Sequence, residues 1–297
     1  MTFIKNLALS LLSLLLFTAL SIFGLVFMFD KTLLNPDFLA AELSRIDISE
    51  AFASLYPIQS PPEAPYLNEV INKSVTELEP WLKEEINTVI YSSYDYLLGQ
   101  TPNLRLNIPT DTVKNKLKEN LRTAFLAKPP PGVGDLPAAL KEQYFNEFYQ
   151  QVAAEIPASL EFTESDLPPD IMTAVQETRQ AMTGYYRFRY PALIGFMVLM
   201  VLGIILISRQ VKYITRSLGS TLFIYGAFEY AGVFAAKHFG GLEFARQSLP
   251  GFLQSWLPQF INDLMSPLEI FSLVLLIAGA ILLVVSFVYK APRTQPE

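Results

Sequence analysis

The chain has 297 residues, 51% of them hydrophobic and 17% charged, with a formal net charge of −6. An acidic balance argues against a nucleic-acid partner. With no cysteine there is no disulfide framework, no lipid-modified cysteine and no thiol nucleophile. Residues 6–29, 190–208, 217–236 and 270–289 are apolar stretches interrupted by one charge, Glu229. About 30 Å of hydrocarbon takes about 20 helical residues, so each stretch is long enough to cross a bilayer.

The first stretch follows a short basic segment, residues 1–5 with Lys5. It is longer than the apolar core of a cleaved signal, about 7–15 residues, and Val26 to Asp30 offers no small-x-small cleavage site. Residues 6–29 are therefore expected to be an uncleaved signal anchor.

Residues 30–189 read as a mostly helical domain. Asn35-Pro36-Asp37 is a helix start, with Asn as cap, Pro in the first turn and an acid at the positive helix end. A helix to about Ile46 and another from Asp47 to Leu55 follow, then a proline-rich loop over Pro57–Pro65. Residues 66–78 and 80–98 form two helices or one kinked at Pro80, and Gly99 is a natural stop. Leu104–Ile108 and Ser159–Phe162 alternate apolar and polar residues, which predicts two half-buried strands pairing as a small ribbon. Each precedes capping-type residues (Thr110-Asp111, Ser165-Asp166) and a helix, over 112–127 and 168–186. Between these units lie the connector Lys128–Gly134 and a helix over 137–154, whose apolar stripe reads as Leu140, Tyr144, Phe148 and Val152.

The run Tyr94-Asp95-Tyr96-Leu97-Leu98-Gly99, the Leu104–Ile108 strand and the basic helix from Thr110 resemble a group of uncharacterised prokaryotic multi-pass membrane proteins. The resemblance covers about a quarter of the chain. It implies an envelope protein with a helical extracytoplasmic domain after a signal anchor, and it supplies no catalytic residues.

Charge sets the expected topology. Residues 1–5, 209–216 and 290–297 hold Lys5, Arg209, Lys212, Arg216, Lys290 and Arg293 against one acid, Glu297. Short basic segments mark the cytoplasmic side. Both termini and the 209–216 loop are thus expected in the cytoplasm, with 30–189 and the 237–269 loop outside. The fold class is a mainly α, multi-pass cell-membrane protein: four transmembrane helices plus the extracytoplasmic domain.

Four groups of residues stand out as candidate sites. Glu229 lies about 20 Å along its span from Arg216, one turn after Tyr225. A charge at that depth costs several kcal/mol. It reads either as a proton or cation site or as a neutral carboxyl linking helices, with Tyr225 as a hydrogen-bond partner. Ala227, Ala231 and Ala235, with Gly232, make a small-residue stripe for helix packing, within the bundle or in a homodimer. Lys114, Lys118 and Arg122 fall on one line of a helix, a face for an anionic partner or a solvated surface. Residues 249–264 are amphipathic, with Phe252, Leu253, Trp256 and Phe260 on the apolar face. They read as a helix lying in the outer membrane interface or packed under the domain.

Catalysis has little support. His238 is the sole histidine, and no nucleophile elbow, zinc-protease motif or phosphate-binding glycine loop occurs. No cofactor and no metal site are expected. The expected role is extracytoplasmic interaction, sensing or envelope assembly, with the bilayer and other membrane proteins as partners. The alternative is a small transporter or channel subunit using Glu229.

Overall fold

The computed structural model describes residues 2–55, 67–130, 132–239 and 249–289. The loop expected over Pro57–Pro65, residues 240–248 of the 237–269 segment and the basic segment 290–297 lie outside them. The described chain is mainly α-helical. Its elements are α1 (Thr2–Lys31), α2 (Pro36–Ser44), α3 (Ile48–Leu55), α4 (Leu67–Leu97), β1 (Arg105–Pro109), α5 (Asp111–Ala127), α6 (Ala138–Glu155), β2 (Ser159–Thr163), α7 (Pro169–Ser208), α8 (Val211–Phe239) and α9 (Gly251–Val288). They divide into a bundle unit, Met1–Phe38, Gly184–Leu249 and Leu257–Glu297, and an inserted unit, Leu39–Thr183 and Pro250–Trp256.

In the bundle unit α1 touches every other long helix. Leu16 and Leu20 of α1 bury against Ile204 of α7 and Tyr225 of α8. Phe23 and Phe27 lie 5.5 and 5.8 Å from the Phe271 ring of α9. Ser13 and Ser217 hydrogen-bond at 3.2 Å between α1 and α8. The α8–α9 crossing depends on missing side chains. A Cβ on Gly226 would lie 2.5 Å from the Leu276 nitrogen, and one on Gly219 would lie 2.9 Å from the Leu283 nitrogen. Gly279 faces the Phe223 backbone in the same way. Only glycine lets two helix backbones come this near. Between α7 and α8 the chain reverses at Arg209, in the left-handed region with φ 55°.

Among the described residues three helices are long and apolar enough to cross a membrane: Phe3–Lys31, Phe188–Ser208 and Gly251–Val288. The sequence led us to expect four. The α8 stretch is diluted by Ser217, Ser220, Thr221, Glu229 and its glycines, so it falls short in composition although its 29 residues suffice in length.

Two side-chain caps start the short helices α2 and α3, which lead from the bundle unit into the inserted one. The Asn35 side chain accepts from the Asp37 N–H at 3.0 Å ahead of α2, and Asp47 accepts from Glu50 at 2.9 Å ahead of α3. α4 runs through Pro80 unbroken and stops at Gly99, whose φ of 74° suits glycine. β1 and β2 pair antiparallel, with Leu106 opposite Phe162 and Ile108 opposite Leu160. Directly opposed residues share a face, so these four make the ribbon's apolar side. The main core joins Val70 of α4, Leu121 and Phe125 of α5, and Phe145 and Tyr149 of α6. Ala40, Ile90 and Tyr94 form a second core.

Three local expectations are corrected. On α6 the buried residues are Phe145 and Tyr149, while Leu140, Tyr144 and Phe148 are exposed. Two adjacent arcs of this helix are apolar, and the one that joins Val70, Leu121 and Phe125 in the core is buried. Thr110 does not cap α5. Its hydroxyl donates to the carbonyls of Pro157 and Ala158, tying the helix start to the strand entry. Residues 251–264 are not a separate helix but the first turns of α9, which passes through Pro258 and Pro267. Both prolines lie inside the helix without ending it.

Candidate functional site

The four residues that directly flank the apolar stretches at one end are Asp30, Arg189, Lys237 and Glu269, and they pair. Arg189 Nε lies 3.0 Å from the Asp30 carboxylate, with side chains only 15% and 7% exposed. Lys237 Nζ meets the Glu269 carboxylate. The first pair ties α1 to α7, the second α8 to α9. Three tyrosines enclose the Arg189 guanidinium, with ring centres at 3.7 Å for Tyr186, 5.0 Å for Tyr190 and 5.5 Å for Tyr185. Tyr186 also donates its hydroxyl to the Leu34 carbonyl at 2.9 Å. Burial, and then the charge of Asp30, push the Tyr185 hydroxyl above its ordinary pKa. Sequence reading missed both pairs. Its signal was one ionic residue at each boundary, with complementary signs.

Glu229 is half-buried on α8, and its carboxylate makes no hydrogen bond or ion pair among the described residues. Tyr225 is fully buried, yet it does not donate to Glu229 as the sequence suggested. Its hydroxyl has no hydrogen-bond partner among the described residues. The ring is wedged between Phe17 at 5.4 Å and Phe271 at 6.2 Å, and a methyl group on Gly24 would lie 2.7 Å from the hydroxyl. Two polar groups one turn apart are thus left unbonded by the fold.

The other candidate residues are placed as follows. Ala231, Gly232 and Ala235 are exposed on α8 and Ala227 is half-buried. A Cβ on Gly232 would meet nothing within 4 Å, so the packing glycines are Gly219 and Gly226 instead. The basic line on α5 is partly absorbed by α6: Arg122 pairs with Glu142, and Lys118 Nζ sits 5.3 Å from the Tyr149 ring centre. The Tyr149 hydroxyl donates to the Lys114 carbonyl at 2.7 Å. Phe252, Leu253, Trp256 and Phe260 are all half-buried. The Trp256 indole donates to the Glu42 carbonyl at 3.0 Å, and the Phe260 ring lies 6.0 Å from Phe38.

The run that carries the family-like pattern has a structural task. Tyr96 is buried under the Arg179 guanidinium, 4.4 Å away, and Arg179 donates to the carbonyls of Thr101 at 2.9 Å and Pro102 at 3.1 Å. Burial, then Glu164, raise the Tyr96 pKa. His238 hydrogen-bonds the Phe234 carbonyl at 2.9 Å and stacks on that ring. Compared with known proteins, no family model, no curated protein and no solved structure matches this chain.

Proposed function

We propose that the chain is a four-span protein of the cell membrane whose inserted unit faces outward as a recognition or sensing domain, without catalysis of its own. The observation that carries the reading is the double pairing of Asp30 with Arg189 and Lys237 with Glu269. Ion pairs joining helices two by two fit four spans that end at one level. They also neutralise the charges nearest the hydrocarbon. The two-residue reversal at Arg209 supports α8 as the returning span, since its 29 residues are long enough to go back across. The chain leaves the bundle unit after Phe38 and re-enters at Gly184, so in sequence the inserted unit follows Asp30 and precedes Arg189. The cations at 5, 209, 212 and 216 support a cytoplasmic place for the opposite end. Recognition is the role that suits an inserted unit with a core of its own.

Single cysteines test the orientation against a native background without thiols. Ser165→Cys and Gln259→Cys should react with a membrane-impermeant maleimide in intact cells, and Lys212→Cys only after permeabilisation. The reverse pattern overturns the reading. A second reading, a small transporter or channel subunit, is favoured by one observation, the unbonded Glu229 beside the unbonded Tyr225 hydroxyl.

A further inference from the structure

The two-stranded ribbon of the inserted unit has an edge whose backbone groups the fold leaves unused. In an antiparallel pair, residues alternate between those that bond across the ladder and those whose N–H and C=O point away from it. The Thr110 N–H donates to the Ala158 carbonyl at 3.2 Å, which fixes the phase. Counting on in the register, Ile108 with Leu160 and Leu106 with Phe162 bond across the ladder. Ser159, Glu161 and Thr163 of β2 therefore direct their backbone groups outward. Thr163 agrees, because its N–H goes to the Asp166 carboxylate at 2.7 Å and not to β1. The N–H and C=O groups of Ser159 and Glu161 have no such partner among the described residues.

Side chains mark the same edge. Leu160 is 54% exposed and Phe162 37%, although both stand on the apolar side of the ribbon. Their partners Leu106 and Ile108 are half-buried, so the uncovered apolar surface lies toward β2. On the other face Glu161 is exposed and makes no ion pair among the described residues. The cation on that face, Arg105, sits on β1 opposite Thr163, across the ladder from the free edge. Of the devices that keep an edge strand from pairing, β2 has no proline, no lysine and no bulge, and only the single charge of Glu161.

An incoming strand would meet donors and acceptors at Ser159 and Glu161, an apolar surface at Leu160 and Phe162, and one carboxylate. A helix cannot use the backbone groups, and an anionic ligand meets the wrong charge. A second β2 centred on Glu161 would set two carboxylates face to face, which is destabilising. Centred on Leu160, it would offer Glu161 a serine in place of a cation. We propose that β2 binds an extended peptide segment as an added antiparallel strand, with a lysine or arginine opposite Glu161 and apolar residues on either side of it against Leu160 and Phe162. This rests on the reading of the inserted unit as a recognition domain and names the class of what it recognises. Strand addition takes its affinity from the main chain and its selectivity from alternate side chains.

Fluorescence anisotropy with the full-length, detergent-purified protein tests it, the probe being an end-blocked, labelled Thr-Val-Lys-Val-Thr peptide. Binding should be saturable in the micromolar to millimolar range. Glutamate in place of the lysine should weaken it at least about threefold, and Glu161→Lys should reverse that preference. A methyl on the backbone nitrogen of the lysine removes the N–H that donates to the Glu161 carbonyl and should cost at least about fivefold. A methyl on the backbone nitrogen of either valine, whose N–H points away from β2, should change binding by less than about twofold. Leu160→Thr replaces an exposed residue by another strand former, so the thermal transition should stay in place while affinity falls. No saturable binding, equal effects of the two methyl positions, or binding indifferent to the charge exchange overturns the proposal. Self-association of the protein that Leu160→Thr abolishes also overturns it, since the edge then belongs to a second copy. If cysteine labelling still finds the unit outside, each of these results leaves the recognition reading standing.

Discussion

Asp30 and Arg189 meet at 3.0 Å although more than half of the chain lies between them, and each is the first charge beyond its apolar stretch. A buried pair of this kind contributes little over an apolar replacement, but removing one partner strands the other charge. Arg189→Leu alone should lower stability by about 3–5 kcal/mol, and Asp30→Asn by a similar amount. The double variant Asp30→Asn with Arg189→Gln should recover much of the loss. Thermal melts of detergent-solubilised protein, followed by circular dichroism, give the comparison. Equal melting temperatures for Arg189→Leu and the unmodified chain would show that the pair does not hold α1 to α7.

The glycine crossing of α8 and α9 gives a second expectation. Gly226→Ala forces a Cβ to within 2.5 Å of the Leu276 nitrogen, and backbone cannot give way as a side chain can. Gly279→Ala meets the Phe223 backbone. Both should cost at least 1–3 kcal/mol, about the usual overpacking penalty, or expand the bundle. Gly232→Ala and Gly195→Ala meet nothing within 4 Å and should be neutral or slightly stabilising through helix propensity. If Gly232→Ala proves as costly as Gly226→Ala, the exposed face of α8 is packed against another molecule.

These residues also mark where sequence reading ended. The Asn35 and Asp47 caps, the Gly99 stop and the strand alternation are local, so each could be read from a few neighbours. The alanine stripe at 227, 231 and 235 had the expected spacing. What selects the packed face, however, is the partner helix, and Gly219, Gly226 and Gly279 lie on two elements. The two charge pairs are legible only as boundary charges until the fold brings them together. On α6, Leu140 and Phe145 both belong to plausible apolar arcs, and one sequence does not choose. Asn120 looked like an ordinary polar residue of a basic helix. Its burial against Ser74 and Glu77 depends on how α4 packs on α5.

Acid should weaken the inserted unit in a defined window. Glu77 is held below its ordinary value of 4.5 by the Asn120 amide first, then by Lys116 and Lys73. Glu142 is lowered by Arg122 and Asp166 by the Thr163 backbone and hydroxyl. A carboxyl with a depressed folded pKa contributes stability that is full above its unfolded value and lost as pH falls through the folded value. Melting temperatures should therefore be flat from neutrality to about pH 5 and fall below about 4.5. Glu77→Gln and Arg122→Gln should each flatten that fall. A decline that begins above pH 6 would point to other groups.

The last expectation separates a recognition protein from a transporter, and it turns on Tyr225 and Glu229. The Tyr225 hydroxyl is buried with no hydrogen-bond partner among the described residues, a state that costs about 1–3 kcal/mol. Tyr225→Phe keeps the ring contacts with Phe17 and Phe271 and removes the unbonded group, so it should raise the melting temperature. Glu229→Gln keeps size and polarity but cannot titrate, and Glu229→Leu removes a half-buried charge that bonds to nothing in the bundle. Neither should destabilise. Polar groups held where they cost stability are often held for function, and relieving them is then paid in activity. Under the recognition reading all three variants stay active in a complementation assay. A variant that is folded, abundant, at least as stable as the unmodified chain and yet inactive would identify Tyr225 and Glu229 as a proton or cation site. It would put the transporter reading first.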